Sequence, residues 1–245
     1  MSDQALPRRL GLLSATMIVV GGIIGGGIFA TPAEVARQLG SEGAIFAVWA
    51  LGGLVALAGA LTYAELGAMM PDAGGPYVYI REAFGELPAF LYGWMLLASI
   101  ATGADAAIAI FFASYLARFV DLAPVGGAMG LAAGTIVLFT ITNILGVRPG
   151  AWVQNALTLA KTAALALLIV LGLAMWTRIG SPPPYAAPAP RASLLAGLAA
   201  AFVPVLFSVG GWQQMNMVAG EIRAPRRLLQ RALFLGIGIV VAVYL

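Results

Sequence analysis

The amino-acid sequence predicts an all-α protein that crosses a membrane several times. Hydrophobic residues make up 61% of the 245 residues, charged residues make up 9%, and the mean hydropathy is +0.96. A soluble domain has about 25% charged residues, so this chain has too few charges to cover a surface that faces water. The apolar residues also come in runs of about 20 or more, the length that a helix needs to cross a bilayer.

Seven predicted spans cover most of the chain. They lie at about residues 11–38, 43–69, 88–119, 125–146, 151–177, 193–219 and 228–245. The connector "PDAGGPYVYIREAFGEL" at 71–87 carries Tyr and Phe residues that suit a short helix at the membrane interface. No polar residue follows the seventh span. Because natural chains rarely end inside the hydrocarbon, we expect a truncated product.

Arginines in the loops indicate the orientation, because cytoplasmic loops are enriched in Lys and Arg. With a cytoplasmic N-terminus, eight arginines lie inside and four lie outside. Those inside are Arg8, Arg9, Arg81, Arg148, Arg223, Arg226, Arg227 and Arg231, and those outside are Arg37, Arg118, Arg178 and Arg191. The sequence therefore predicts that the N-terminus is cytoplasmic. The longest outside loop contains "SPPPYAAPAP", which is expected to be extended and semi-rigid.

The residue types that the chain lacks exclude several kinds of chemistry. It contains no Cys and no His, so disulfides, thiol catalysis and the commonest metal ligands are excluded. Any proton transfer must use Asp, Glu, Lys or Tyr. The sequence shows no nucleophile–base pair, and we predict no enzyme activity, no metal and no cofactor. The pI of about 9.5 comes from single arginines at the ends of spans, which is typical of topology signals and not of a nucleic-acid binder.

The first span contains the run "VGGIIGGGIF" from Val20 to Phe29, in which five of ten residues are glycine. An interior glycine destabilises a helix by about 1 kcal/mol relative to alanine. The stretch "GGGIFA" formally fits a dinucleotide-binding loop, but it lies within a membrane span and not in a strand–turn–helix unit. Glycines four residues apart also allow membrane helices to pack closely, but this does not explain three in a row. A break in the helix agrees best with the glycine count.

A broken helix presents backbone groups of both signs at membrane depth, where unwound chain is tolerated only against protein or a water-filled cavity. The N–H groups at the start of the outer half-helix attract an anion. The carbonyl groups at the end of the inner half attract a cation. A zwitterionic amino acid carries both kinds of group.

A second interruption, "SVGGWQQMN" at 208–216, falls in the sixth span. Glycine-interrupted spans at corresponding positions of two halves indicate the binding site of a transporter. If the sixth span restarts the pattern of the first, the repeat unit is five helices. The predicted organisation is a first repeat at 1–177, a Pro-rich extracellular loop at 178–192 and the start of a second repeat at 193–245.

Four motifs occur in order along the chain. They are "GGIIGGGIFATP" in the first span, "LTYAELGAMMPDAGGPYVYIREAFG" at 61–85, "GVRPGAWVQNALTLAKTAALAL" at 146–167 and "FSVGGWQQMNMVAGEIRAPRR" at 207–227. Together they resemble the amino acid–polyamine–organocation superfamily of permeases. The resemblance implies a leucine-transporter-type inverted-repeat fold, here truncated to about seven transmembrane helices with helices one and six broken.

The same resemblance implies a function. It is secondary active transport of amino acids by alternating access, as proton-coupled import or exchange, in a bacterial inner (plasma) membrane. The expected partners are an amino acid substrate, protons and the lipid bilayer, and no nucleic acid is expected. The alternative is a truncated, non-transporting membrane scaffold, or an inactive fragment of such a permease.

The two breaks supply most of the predicted substrate-binding residues. The substrate carboxylate is expected on N–H groups from Ile24 to Gly27, and its ammonium on carbonyl groups of Val20–Gly22 and Phe207–Gly210. The full predicted set is Gly22, Ile23, Ile24, Gly25, Gly26, Gly27, Asp105, Phe207, Ser208, Gly210, Gly211 and Trp212.

Two ionisable residues lie within predicted spans and far from the span ends, where charges are costly and mark functional candidates. The resemblance implies that Lys161, the only lysine, is a proton-responsive group bonded to backbone near Gly22 and Ile23. The alternative is a structural cation that holds helix five to the broken helix. Asp105 either faces the cavity, where it selects a polar or cationic side chain or accepts a proton, or is a structural carboxyl group.

Two glutamates and two aromatic residues complete the candidates. Glu65 and Glu221 lie near cytoplasmic ends of spans, close in sequence to arginines, and are expected to form interfacial ion pairs or part of an inner gate. Phe207 and Trp212 flank the second break. Membrane aromatics commonly serve packing or anchoring, while beside an unwound Gly-Gly they suit gating or stacking on the substrate.

Overall fold

A computed structural model describes Arg8 and residues 10–145, 147–175 and 194–245 of the chain. These residues are helical, with one isolated β-bridge and no strand among them. Six helices are long and apolar enough to cross a membrane, and a bent helix pair makes a seventh candidate span. The predicted class, an all-α integral membrane protein with broken spans, is therefore confirmed. The loop predicted at 178–192 lies outside the described residues.

The described helices form two compact units, one of residues 1–85 with 169–245 and one of residues 86–168. The first unit begins with α1 (Leu12–Ile23) and α2 (Gly27–Leu39), which form the bent pair and differ in direction by 48°. Ile24 ends α1 with extended backbone, at φ −66° and ψ 101°. The first span is thus broken within its glycine run, as the sequence predicts.

The second span of the first unit is α3 (Glu42–Met69), and it closely matches the predicted span at 43–69. The Ser41 side chain caps its start by accepting a hydrogen bond from the Ala44 N–H at 3.3 Å. A short helix, α4 (Pro76–Phe84), follows in the connector where the sequence predicts one.

The sixth span is also broken. Its first half is α9 (Leu194–Ser208), and after Val209, Gly210 and Gly211 the chain continues as a 3₁₀ helix from Trp212 to Glu221. Val218, at φ −104° and ψ 16°, is not helical and divides this stretch into two shorter 3₁₀ segments, as expected because such helices rarely exceed three or four residues. The seventh span, α10 (Pro225–Tyr244), begins after Ala224, which has a positive φ of 45°.

The helices of the first unit pack through glycines. Helix α10 lies against α1 and α3, and α2 lies against α9. A Cβ atom added to Gly236 of α10 would lie 2.5 Å from Val19 Cγ1, and one added to Gly52 of α3 would lie 2.5 Å from Val205 Cγ1. Small residues at these crossings let the backbones approach, which is how helices associate in lipid.

The second unit contains three spans. The first is α5 (Glu86–Met95), continued through a π-helical turn at Leu96–Ala101 into α6 (Thr102–Leu116). After a 3₁₀ turn at Ala123–Val125 come α7 (Gly127–Ile144) and α8 (Val147–Met175), whose last residues from Ile169 belong to the first unit. Buried alanines at 109, 113 and 132 join α6 to α7.

Candidate functional site

The two breaks in the first unit meet backbone to backbone. A Cβ atom added to Gly22, near the end of α1, would lie 3.1 Å from the carbonyl oxygen of Gly211. A Cβ atom added to Gly211 would collide with the carbonyl oxygen of Gly22. Gly211 also has a φ of +102°, which side-chain-bearing residues rarely adopt. Gly211 therefore requires glycine both for close approach and for its conformation, and a side chain at Gly22 would be tightly packed against the Gly211 carbonyl.

A second contact joins the other halves of the broken spans. Gly27, at the start of α2, lies so close to α9 that an added Cβ atom would be 2.7 Å from Ser208 Oγ. The Ser208 hydroxyl donates a hydrogen bond of 2.7 Å to Thr31 Oγ1 of α2, and both residues are buried. We call the region where the two breaks meet the junction. The predicted residues Gly22, Gly27, Ser208 and Gly211 all lie there.

The junction exposes polar backbone without charged side chains. The N–H groups in the first turn of a helix and the carbonyl groups in its last turn have no partner within that helix. The break therefore presents N–H groups from α2 beside carbonyl groups from α1, and the helix dipoles add partial charges of opposite sign. The sequence has no charged residue at 20–30 or 205–217. The site can thus bind a small molecule that carries one anionic and one cationic group.

Two backbone groups at the junction are already bonded to side chains that the sequence analysis did not select. The Tyr244 hydroxyl of α10 donates to the Ile23 carbonyl at 3.5 Å, and the Gly211 N–H donates to Gln213 Oε1 at 3.0 Å. The Tyr244 ring also packs edge-on against Trp49, with ring centroids 5.6 Å apart. Nothing local in the sequence marks Tyr244, because its role depends on how α10 packs against α1.

The two aromatic candidates at the second break have different environments. Trp212 packs against α3, where its ring meets the Tyr63 ring edge-on with centroids 5.2 Å apart. A Cβ atom added to Gly59 would lie 2.8 Å from the Trp212 ring, so the ring is close against the α3 backbone. Phe207 is 73% exposed on α9. Trp212 therefore packs within the first unit, whereas Phe207 lies outside the core of that unit.

Of the four charged candidates, two belong to the second unit, and the other two lie in the first unit away from the junction. Asp105, exposed in the first turn of α6, and Lys161, half-buried in α8, both belong to the second unit. Glu65 is exposed on α3, and Glu221 ends the 3₁₀ helix of span six. Neither glutamate forms an ion pair among the described residues.

A buried asparagine that the sequence analysis missed ties span six to its neighbours. Asn216 is fully buried, and its Nδ2 donates to the Tyr63 carbonyl at 2.7 Å and to the Tyr79 hydroxyl at 2.8 Å. Its Oδ1 has no hydrogen-bond partner in the described part of the chain. The one feature of the sequence that could have marked Asn216 is its amide side chain within an apolar run.

The protonation state of the Tyr79 hydroxyl agrees with its role as an acceptor of the Asn216 hydrogen bond. Burial raises the pKa of the Tyr79 hydroxyl above its usual value, while the hydrogen bond from Asn216 lowers it by a smaller amount. The hydroxyl is therefore neutral at physiological pH. It accepts the bond from Asn216 as an uncharged oxygen.

We expect the Ser208–Thr31 hydrogen bond to couple α9 and α2, one half of each broken span, energetically. Thr31→Val and Ser208→Ala each remove one hydroxyl, and a double-mutant cycle on the thermal unfolding of the purified protein should show a coupling of about 1 kcal/mol. Thr140→Val is the control, because the Thr140 hydroxyl bonds only to the Ile136 carbonyl of its own helix at 2.8 Å. Additive effects of the two changes would contradict the expected coupling.

Comparison with known proteins gives consistent matches along the chain. A family profile described as "Amino acid permease" matches residues 10–245. The chain is 36% identical over 245 residues to the b(0,+)-type amino acid transporter 1 of Homo sapiens, covering 98% of the chain and 50% of that protein. It is 36% identical over 246 residues to the Large neutral amino acids transporter small subunit 2 of Mus musculus, covering 98% of the chain and 46% of that protein. The chain spans about half the length of these curated relatives.

Proposed function

Because the chain belongs to the amino acid permease family, we propose that the protein containing it moves amino acids across a membrane by alternating access. The observation that carries the proposal is the contact of two broken spans at Gly22 and Gly211. Broken spans that meet near the bilayer midplane are the usual architecture of a transporter's substrate site. The proposed process leaves the substrate covalently unchanged.

The proposed substrate site recognises the groups that all amino acids share. The carboxylate binds N–H groups of Gly25, Gly26 and Gly27 at the start of α2, where the helix dipole favours an anion. The Ile24 N–H, which the sequence also predicts for this role, ends α1 and donates to the Val20 carbonyl at 2.9 Å, so it is not among them. The ammonium group binds carbonyl groups at the ends of α1 and α9. Since no charged side chain lies in either break, we include neutral amino acids among the substrates, as in the name of the Mus musculus relative.

We also propose that transport is coupled to protons, as import or exchange. Lys161 is the candidate proton-responsive group, and its place in an apolar span supports this role because intramembrane charges are costly. A structural cation in α8 is the competing role for the same residue. Asp105 is a second candidate, for selecting a polar side chain or accepting a proton. The proposed membrane is a bacterial inner membrane with the N-terminus in the cytoplasm, where the arginine distribution supports the orientation.

Uptake into proteoliposomes tests the proposed function. Protein from the complete gene should accumulate radiolabelled neutral amino acids, and unlabelled substrate should compete. The second candidate is a non-transporting membrane scaffold, with which the half-length match to the relatives is compatible. Uptake by the 245-residue chain, reconstituted alone, separates the two candidates. Absence of uptake by the complete protein across all twenty amino acids would overturn the proposal.

Replacement of Lys161 tests the proton coupling separately. We expect Lys161→Ala to abolish the response of uptake to an imposed pH gradient, because the change removes the only lysine ammonium of the chain. The measurement is uptake at equal substrate concentration with and without the gradient. Arg118→Gln, which removes an exposed cation elsewhere in the second unit, should leave the response unchanged. An unaltered response in Lys161→Ala would favour the structural role.

A further inference from the structure

The first turns of α10 carry three exposed arginines. Arg226, Arg227 and Arg231 are exposed, whereas Leu229 and Leu233 are fully buried against the rest of the first unit. At about 100° per residue, Arg227 and Arg231 lie about 40° apart and at least about 120° from the buried leucines, whereas Arg226 lies about 20° from Leu233. Arg227 and Arg231 therefore lie on the face of α10 that is turned away from the core, at one end of a membrane span.

Two further arginines lie at the same end of the first unit. Arg223 is exposed just before α10, and its N–H donates to the Leu10 carbonyl at 3.0 Å. The Leu10 N–H in turn donates to the Glu221 carbonyl at 3.0 Å. This backbone pairing places the N-terminal segment, with exposed Arg8 two residues before Leu10, beside the start of α10. We call Arg8, Arg223, Arg226, Arg227 and Arg231 the arginine patch.

The arginine patch is not neutralised by the part of the chain that the structure describes. None of its members forms an ion pair there, whereas Arg37 pairs with Glu34 and Arg81 pairs with Glu82. Residues 221–231 contain four arginines and a single acidic residue, Glu221. Such a concentration of like charge attracts an anionic partner, and guanidinium groups bind phosphate through paired hydrogen bonds.

The exposed face of α10 becomes apolar directly beyond the arginines. Leu235 is 48% exposed and Ile239 is 47% exposed. Between them lies Gly238, where an added Cβ atom would meet nothing within 4 Å, so the face is open at this point. Arg231 lies six residues into α10, about 9 Å along the helix from Pro225. Its long side chain can reach back to the headgroup level while its stem stays in the hydrocarbon.

We propose that the arginine patch and the apolar face below it bind an anionic phospholipid of the surrounding bilayer. The lipid phosphate lies between Arg227 and Arg231, which are four residues apart on one helix face. An acyl chain lies along Leu235 and across the gap at Gly238. The charge at the end of the span matches the headgroup of a phospholipid, and the open apolar surface within the span matches its acyl chain. A free anion would make no use of the apolar part. This lipid site is independent of the proposed transport site.

Native mass spectrometry with defined lipids tests the site. Protein from the complete gene, purified in detergent, is titrated with phosphatidylglycerol and separately with phosphatidylcholine. We expect phosphatidylglycerol to bind more tightly, and Arg227→Gln with Arg231→Gln to weaken its binding about 25-fold, since each surface arginine contributes about fivefold. Arg37→Gln is the control, because it removes the same charge from the exposed end of α2. Equal binding of the two lipids, or an unchanged affinity in the double variant, would overturn the proposal.

A glycine replacement tests the acyl-chain part without changing the charge. Gly238→Leu fills the gap on α10 and should weaken phosphatidylglycerol binding severalfold. Gly134→Leu, at an equally open glycine of α7, should not. Circular dichroism and gel filtration confirm that both variants fold. Full displacement of the lipid by inorganic phosphate, with unchanged lipid binding in Gly238→Leu, would overturn the lipid site in favour of a simple anion site.

Discussion

Replacing Gly211 with alanine is expected to abolish amino acid uptake by the complete protein. The new methyl group would collide with the Gly22 carbonyl, and Gly211 has a φ of +102° that alanine rarely adopts. Strained backbone and overpacking each cost about 1–3 kcal/mol. Because the obstacle is backbone in both broken spans, the contact can be relieved only by moving one break away from the other. Uptake should fall at least tenfold, measured at equal protein in the membrane.

Neighbouring glycines provide a matched control for this prediction. Gly22→Ala would place a methyl group 3.1 Å from the Gly211 carbonyl oxygen, whereas Gly21→Ala would meet nothing within 4 Å. We expect Gly22→Ala to reduce uptake and Gly21→Ala to retain it, with a slight gain in stability from the better helix former. If Gly211→Ala transports normally, or if the Gly21 and Gly22 variants behave alike, the paired breaks do not form the substrate site.

Replacing Asn216 with leucine is expected to cause the largest loss of stability among single side-chain changes in the 3₁₀ half of span six. The change leaves the buried Tyr79 hydroxyl and the part-buried Tyr63 carbonyl without the donor that both now share. An unsatisfied buried polar group costs about 1–3 kcal/mol, so a total loss of about 3 kcal/mol is expected. The measurement is the midpoint of thermal unfolding in detergent, followed by intrinsic tryptophan fluorescence.

Two variants separate the hydrogen bonds of Asn216 from its volume. Tyr79→Phe removes one acceptor, keeps the ring in place and should cost about 1 kcal/mol. Asn143→Leu makes the same change at an exposed position of α7 and should have little effect. An Asn216→Leu protein as stable as the wild type would show that the buried amide contributes nothing net. The 3₁₀ half of span six would then be held by packing and by backbone hydrogen bonds such as that from the Leu10 N–H to the Glu221 carbonyl.

The fold class and the positions of the spans followed from the sequence, because both depend on local composition. The predicted span at 43–69 is observed as α3 from Glu42 to Met69. The break in the first span was predictable because glycine weakens a helix wherever it stands. The second break was predictable from Gly210 and Gly211 for the same reason.

Only the tertiary structure decided which of these residues meet. Gly21 and Gly22 are chemically identical neighbours, yet only Gly22 lies against Gly211. Asn216 bonds to the carbonyl of a residue 153 positions earlier in the chain, and Ser208 to a hydroxyl 177 positions earlier. Phe207 is exposed while Met215 is fully buried. In a bilayer the lipid is as apolar as the protein interior, so hydrophobicity does not mark the packed face of a helix, and close contacts between small residues decide it.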